Sequence, residues 1–224
     1  MSEGPRKDIL ETLKSIAGDI WSIPGPADAE ASGAEEPKTA EKPAPAPRTP
    51  AQKVKAEILS LWKTADETID WTDALAHSTP TDRLTTPSLW AFYHKLAEKV
   101  LAGDLDAYTE VLQKANPLGE LTDYAESITM QAPSPDRLES RFVCKKELLD
   151  QSRKLYPAAM ALRIARDLLA CLPVEEVTVT GECDGKDVIS VTFNRQQLLH
   201  RNFVFTDPIA LAKECGASFR QAND

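Results

Sequence analysis

Residues 24–49 read PGPADAEASGAEEPKTAEKPAPAPRT and contain no leucine, isoleucine, valine or aromatic residue. A segment that can take no apolar surface out of water cannot offset the entropy of ordering its backbone, so this stretch is read as a tether that joins no core. Its KPAPAPRTP end alternates proline with alanine and should be stiffest, close to polyproline II. The 224-residue chain is thereby cut into a short N-terminal piece and a long C-terminal one, each of which must find its own apolar partners.

The short piece, PRKDILETLKSIAGDIWSI, carries Ile9, Leu13, Ile16 and Ile20 at helical spacing, with Leu10, Ala17 and Trp21 widening the stripe. Arg6, Lys7, Asp8, Glu11, Lys14 and Asp19 fall elsewhere, so residues 1–23 form an amphipathic helix that ends at IPGP. Folding back onto the main domain is the plainest role for such a helix. A helix that only completes a core needs no long tether, however, and structureless loops of this length are uncommon inside compact domains. A tethered apolar stripe suits docking in a partner's groove, with Ile9, Leu10, Leu13, Ile16, Ile20 and Trp21 as the contacts. Mixed charges on the polar face argue against a membrane-surface helix.

The long piece opens with TPAQKVKAEILSLWKTADETI, where Thr49 and Pro50 form a start signal and Val54, Ile58, Leu61, Trp62, Ala65 and Ile69 a buried face. A turn of helix is expected over 70–76. Thr86-Pro87 opens a helix with Leu89, Tyr93, Leu96 and Val100 inward and Gly103 as its stop, and Asp104 caps LDAYTEVLQKAN. GELTDYAESITM reads as a further short helix. Ser134-Pro135 repeats the start signal ahead of a long helix holding Leu138, Phe142, Leu149 and Tyr156, interrupted at Pro157. AAMALRIARDLLACL is apolar on nearly every face and belongs in the middle of a core.

After Pro173 the apolar period becomes two. Val177 and Val179 alternate with Thr178 and Thr180, and Ile189, Val191 and Phe193 alternate with Ser190, Thr192 and Asn194. Asp184-Gly185 between them is a strong hairpin signal. Asn194 caps RQQLLHRN, Asp207-Pro208 caps IALAKECG with Gly216 as its stop, and ASFR adds a short strand. The fold expected is mainly α with a small C-terminal α+β module: a helical domain over 50–172 and a ββαα(β) unit over 173–224 packed on the preceding helix.

The runs LYPAAMALRIARDLLACLPVEEVTVT, VISVTFNRQQLL and the later Asp-Pro resemble a C-terminal module of uncharacterised bacterial proteins, over about residues 154–220. The resemblance implies those boundaries and a bacterial origin, and brings no site residue with it.

A formal net charge of −9 disfavours a generic grip on polyanions or anionic lipid. Cys144, Cys171, Cys183 and Cys215 are widely spaced and form no CxxC pair, which fits thiols of a reducing cytoplasm. No apolar run is long enough to span a bilayer. Asp184-Gly185-Lys186, with Glu175 or Glu176 upstream, is formally half of a metal-dependent nuclease motif, but a type I′ turn needs the same residues. A calcium loop starting at Asp184 would place Arg195 where a bidentate glutamate is required. His77, His94 and His200 lie in separate elements, and no GxSxG, P-loop or GxGxxG occurs. No catalytic residue, metal or cofactor is assigned.

Arg141, Lys145, Lys146, Arg153, Lys154, Arg163 and Arg166 concentrate positive charge, interleaved with Asp136, Glu139, Glu147, Asp150 and Asp167 as on a solvated helix face. Of these, Lys145, Lys146, Arg153 and Lys154 are the candidates for touching nucleic acid. Arg163 and Arg166, if buried, need carboxylate partners. The leading expectation is a non-enzymatic adaptor or accessory subunit of a cytoplasmic bacterial assembly, bound to a protein partner through its N-terminal helix. The second is an accessory part of a nucleic-acid-processing or phage-defence system; the third is a metal-dependent hydrolase.

Overall fold

The computed structural model describes residues 57–81 and 85–220, and these belong to one compact unit. The N-terminal helix, the tether and most of the first expected helix of the long piece lie outside the described residues. Helical structure at Glu57 and Ile58 gives way to a 3₁₀ turn at Leu61–Lys63 and then to extended chain as far as Asp70. A helix continuous to Ile69 is therefore corrected. Ile69 instead donates its N–H to the Ala170 carbonyl, 2.9 Å away.

Three capped helices follow. Asp70 accepts from the N–H groups of Thr72 and Asp73 at the start of α1 (Trp71–Ala76). Thr86 caps α2 (Pro87–Leu101), which buries Trp90, Tyr93, Leu96, Ala97 and Val100. Asp104 caps α3 (Leu105–Ala115), which closes at Asn116 with φ 46°. Trp71 meets Tyr93 edge-on at 5.4 Å, joining α1 to α2, and its indole N–H donates to the Cys171 carbonyl.

The next stretch overturns the expected fold class. After a 3₁₀ turn at Gly119–Asp123, the chain forms β1 (Ala125–Ser134) and β2 (Arg137–Cys144), an antiparallel hairpin turned at Pro135-Asp136. Of the short helix expected at 119–130 only the 3₁₀ turn at Gly119–Asp123 forms, and the long helix expected from Ser134 is a strand as far as Cys144. Ile128, Met130 and Ala132 alternate with the exposed Ser127, Thr129 and Gln131, and Leu138, Ser140, Phe142 and Cys144 are buried in turn. Two apolar residues four apart, as Leu138 and Phe142 are, satisfy a strand as well as a helix. The buried Ser140 between them settles it: its hydroxyl donates to the Thr129 carbonyl across the hairpin.

Two helices, α4 (Lys146–Gln151) and α5 (Leu155–Cys171), then carry the chain to β3 (Glu176–Cys183), which pairs in parallel with β2 from Arg137↔Glu176 to Val143↔Glu182. Parallel neighbours require such a crossover. β4 (Lys186–Asn194) returns antiparallel through the Asp184-Gly185 turn, where φ is 50° and 75°. Asn194 builds a capping box on α6 (Arg195–Leu199), Asp207 caps α7 (Pro208–Glu214), and β5 (Ser218–Phe219) closes against Ile189 and Ser190. Among the described residues, the architecture is a five-stranded mixed sheet in the order β1-β2-β3-β4-β5 with seven α-helices. It is not a helical domain with an appended hairpin, because the β2–β3 pairing stitches the two halves into one sheet.

Helix α5 packs on β3, β4 and β2, and its other sides meet the Leu61–Lys63 turn, α7 and α3. Every residue from Tyr156 to Cys171 is buried except Arg166, as an all-round apolar sequence demands. Gly181 on β3 makes room for the sheet's side of this core: a Cβ there would lie 2.5 Å from the Phe142 ring and 2.9 Å from Ile189. The opposite sheet face is open and polar, with Thr129, Arg141, Thr180 and Ser190 in one cross-strand row.

Candidate functional site

The residue types that carry chemistry most often are occupied in structural work. His94 Nδ1 lies 2.7 Å from the Ala74 carbonyl, and His77 Nδ1 sits 2.7 Å from the Asp73 carboxylate. Burial pushes the Cys144 and Cys171 thiols up to about 12. A thiol so held is a poor source of nucleophilic thiolate. Glu176 opens β3 and Asp184 lies just past its end, roughly 26 Å away at about 3.3 Å per residue, so they do not converge on one ion. Among the described residues, no three His, Cys, Asp or Glu side chains gather to hold a metal ion, and no helix is long and apolar enough to cross a membrane.

The four cations singled out in the sequence are not on one helix, as expected, but around the α4–α5 junction. Lys145 directly precedes α4 and its ammonium donates to the Asp123 carbonyl at 2.6 Å, while Lys146 pairs with Asp184 at 3.4 Å. Arg153 and Lys154 occupy the link ahead of α5, and both are exposed. Their placement rests on Tyr156, fully buried, whose hydroxyl accepts the Lys145 N–H and donates to the Tyr124 carbonyl. Burial raises that phenol above its usual range, so the hydroxyl stays protonated and keeps the junction pinned.

Lys146, Arg153 and Lys154 rim a cleft of about 300 Å³, joined by Arg220 from the far end of the chain. Leu149, Val188, Phe219 and Cys183 form its apolar floor, and Asp150 and Asp184 complete the wall. Among the described residues, Arg153, Lys154 and Arg220 make no ion pair with any carboxylate. The basic run exposed three of the four cations to sequence reading. Arg220 and Phe219 gave no signal, because only the β4–β5 pairing brings them there.

The remaining arginines are engaged inside the fold. Arg163 Nε donates to Asp167 at 2.6 Å, and its other nitrogens reach Thr64 at 2.6 Å and Glu120 at 3.3 Å. Asp167 is 0% exposed and also accepts the Asp66 N–H at 2.9 Å. Burial outweighs these donors and lifts its carboxyl to about 6. Arg166, expected to need a carboxylate, instead donates to the Trp62 and Thr64 carbonyls and stacks 3.8 Å from the Phe203 ring centroid. Arg195 donates to the carbonyls of Leu169, Leu172 and Val174 at 2.7–2.8 Å, satisfying the end of α5.

That Phe203 belongs to a second surface feature. The loop from α6 to α7 reads HRNFVFTD, and its backbone is fixed: Val204 N–H binds the Asn202 side chain, Phe205 N–H binds the Asn202 carbonyl, and the Trp62 indole donates to the Thr206 carbonyl. Yet Leu199 is 56%, Val204 58% and Phe205 86% exposed. In the sequence the loop is an apolar triplet, Phe203, Val204 and Phe205, between polar flanks. The stripe of Ile9, Leu10, Leu13, Ile16, Ile20 and Trp21 lies outside the described residues.

No protein-family model, curated protein or solved structure matches the chain.

Proposed function

We propose that the protein is a non-enzymatic interaction module, an adaptor or accessory subunit that grips a protein partner at two places. One is the tethered amphipathic segment of residues 1–23; the other is the apolar loop of the folded domain. The observation that carries this reading is the exposure of Leu199, Val204 and Phe205 on a backbone already fixed by Asn202, Trp62 and the Arg166–Phe203 stack. Single exposed apolar residues need no explanation, but Val204 and Phe205 are neighbours on a rigid loop, with Leu199 exposed at the end of the helix that leads into it, and that is the make-up of an interface anchor. Pre-fixed backbone lowers the entropy lost when a partner closes over the side chains. The tether then makes the second contact intramolecular, so two weak grips combine into one strong one.

The test places a photo-crosslinking residue at position 205 of the full chain in the cells that make it. One discrete crosslinked protein is expected, lost with Val204→Asp and weakened when residues 1–23 are deleted. Crosslinking that is equal from position 129 on the open sheet face, or indifferent to Val204→Asp, would overturn the reading.

A further inference from the structure

We infer that the cleft between the α4–α5 junction and β5 binds a small organic anion with an apolar body, of the class of medium-chain or aromatic carboxylates. This site is separate from the apolar loop and does not depend on it.

Two features of the cleft point the same way. Its floor, Leu149, Val188 and Phe219, is apolar and concave, and at about 300 Å³ it stands at the small end of ligand pockets. Burying an apolar body there removes apolar surface from water on both sides. The rim supplies the head-group contacts. Asp184 already holds Lys146 at 3.4 Å, which leaves Asp150 as the other carboxylate against Arg153, Lys154 and Arg220. Three guanidinium or ammonium groups facing one carboxylate favour an incoming anion over a cation. Arginine's planar fork suits a carboxylate bidentately, which fixes the head while the floor selects the body.

The three cations come from distant parts of the chain. Arg153 and Lys154 arrive on the junction pinned by Tyr156, and Arg220 directly after β5, anchored by its own N–H to the Val188 carbonyl at 3.2 Å. All three line the same cleft, so an anion seated there meets cations supplied by two distant parts of the chain. Uncoupled solvated cations would gain nothing from the apolar floor beside them.

The experiment titrates the isotope-labelled full chain with octanoate, octanol and inorganic phosphate at low salt, following backbone amide shifts. Octanoate should shift the amides of residues 146–154, 183–188 and 219–220 saturably. Octanol, lacking the charge, and phosphate, lacking the body, should each bind at least tenfold more weakly. Arg153→Ala and Arg220→Ala should each weaken octanoate about tenfold, the loss of one charged contact. Shifts that fail to saturate, that spread over the whole domain, or that persist unchanged in both variants would overturn the proposal. Phosphate binding as tight as octanoate would overturn it too, since the floor would then play no part.

Discussion

The two ends of helix α5 hold the same chemistry in opposite conditions. Toward its C-terminus, Arg163, Arg166 and Arg195 are tied to Asp167, to backbone carbonyls and to the Phe203 ring. Ahead of its N-terminus, Arg153 and Lys154 face solvent beside Arg220, and among the described residues none of the three pairs with a carboxylate. Arg163 and Arg166 act from the middle of the helix, while Arg195 supplies donors to the carbonyls at its end. One end of the helix is thus finished by its own side chains, and the other is finished only when an anion arrives. Substitutions at the two ends should therefore part company: stability lost at one, ligand lost at the other.

The largest effect is expected at Arg163. Arg163→Ala removes the partner of a carboxylate that is 0% exposed, and breaking a buried pair from one side costs about 3–5 kcal/mol. Urea unfolding at pH 7.5 should show that loss. The deficit should shrink toward pH 5, because Asp167 can then escape its unpaired charge by taking up a proton. A loss below about 1 kcal/mol would mean that the engaged end of α5 is no more structural than the open one.

The wild-type chain should carry a related signature. The Asp167 carboxyl titrates near 6 folded, against 3.8 as its ordinary value, with burial as the leading cause. A raised carboxyl favours the folded state while both forms are protonated and loses that advantage as pH climbs. Stability should fall by on the order of 2–3 kcal/mol between about pH 4 and pH 6 from this group, and level off above. Asp167→Asn should flatten that limb of the pH profile; an unchanged slope would assign it to other groups.

Arg195→Ala comes next. It strips donors from the carbonyls of Leu169, Leu172 and Val174, and charged hydrogen bonds of this kind are worth about 1.5–3 kcal/mol in sum once water replaces part of them. Arg195→Lys, with one point charge in place of a fork, should recover only a fraction. Full recovery would show that charge near the helix end, not the three-way bonding, is what counts.

The C-terminal third was legible because its signals are local. Asp184-Gly185, Asn194 before α6 and Asp207-Pro208 each act over two to four residues, and each sits where its chemistry placed it. Residues 125–144 were not legible for the opposite reason. Leu138 and Phe142 fit either period, Ser134-Pro135 caps a helix or turns a hairpin, and the parallel pairing Arg137↔Glu176 links residues that no local pattern connects. The cleft divides along the same line. Lys146, Arg153 and Lys154 form a visible basic run, while Phe219 and Arg220 reach it through a two-residue strand whose partner is β4. Local chemistry writes caps and turns into the sequence; sheet order and composite sites are written in pairings between distant residues.

The smallest expected effect is the one that distinguishes the two ends most cleanly. Arg153→Ala, Lys154→Ala and Arg220→Ala touch exposed side chains with no ion pair among the described residues, so each should change stability by no more than about 0.5 kcal/mol. The sign is informative. If the three cations repel one another, removing any one should leave stability unchanged or slightly raised, most visibly at low salt, where the Debye length is about 30 Å at 0.01 M. Adding salt should erase the gain in the wild-type chain by screening the same repulsion. Thermal unfolding of the three variants at low and high ionic strength measures this directly. A loss above 1 kcal/mol in any of them would mean that the cation holds the fold together, as Arg163 does, and the contrast between the two ends of α5 would collapse.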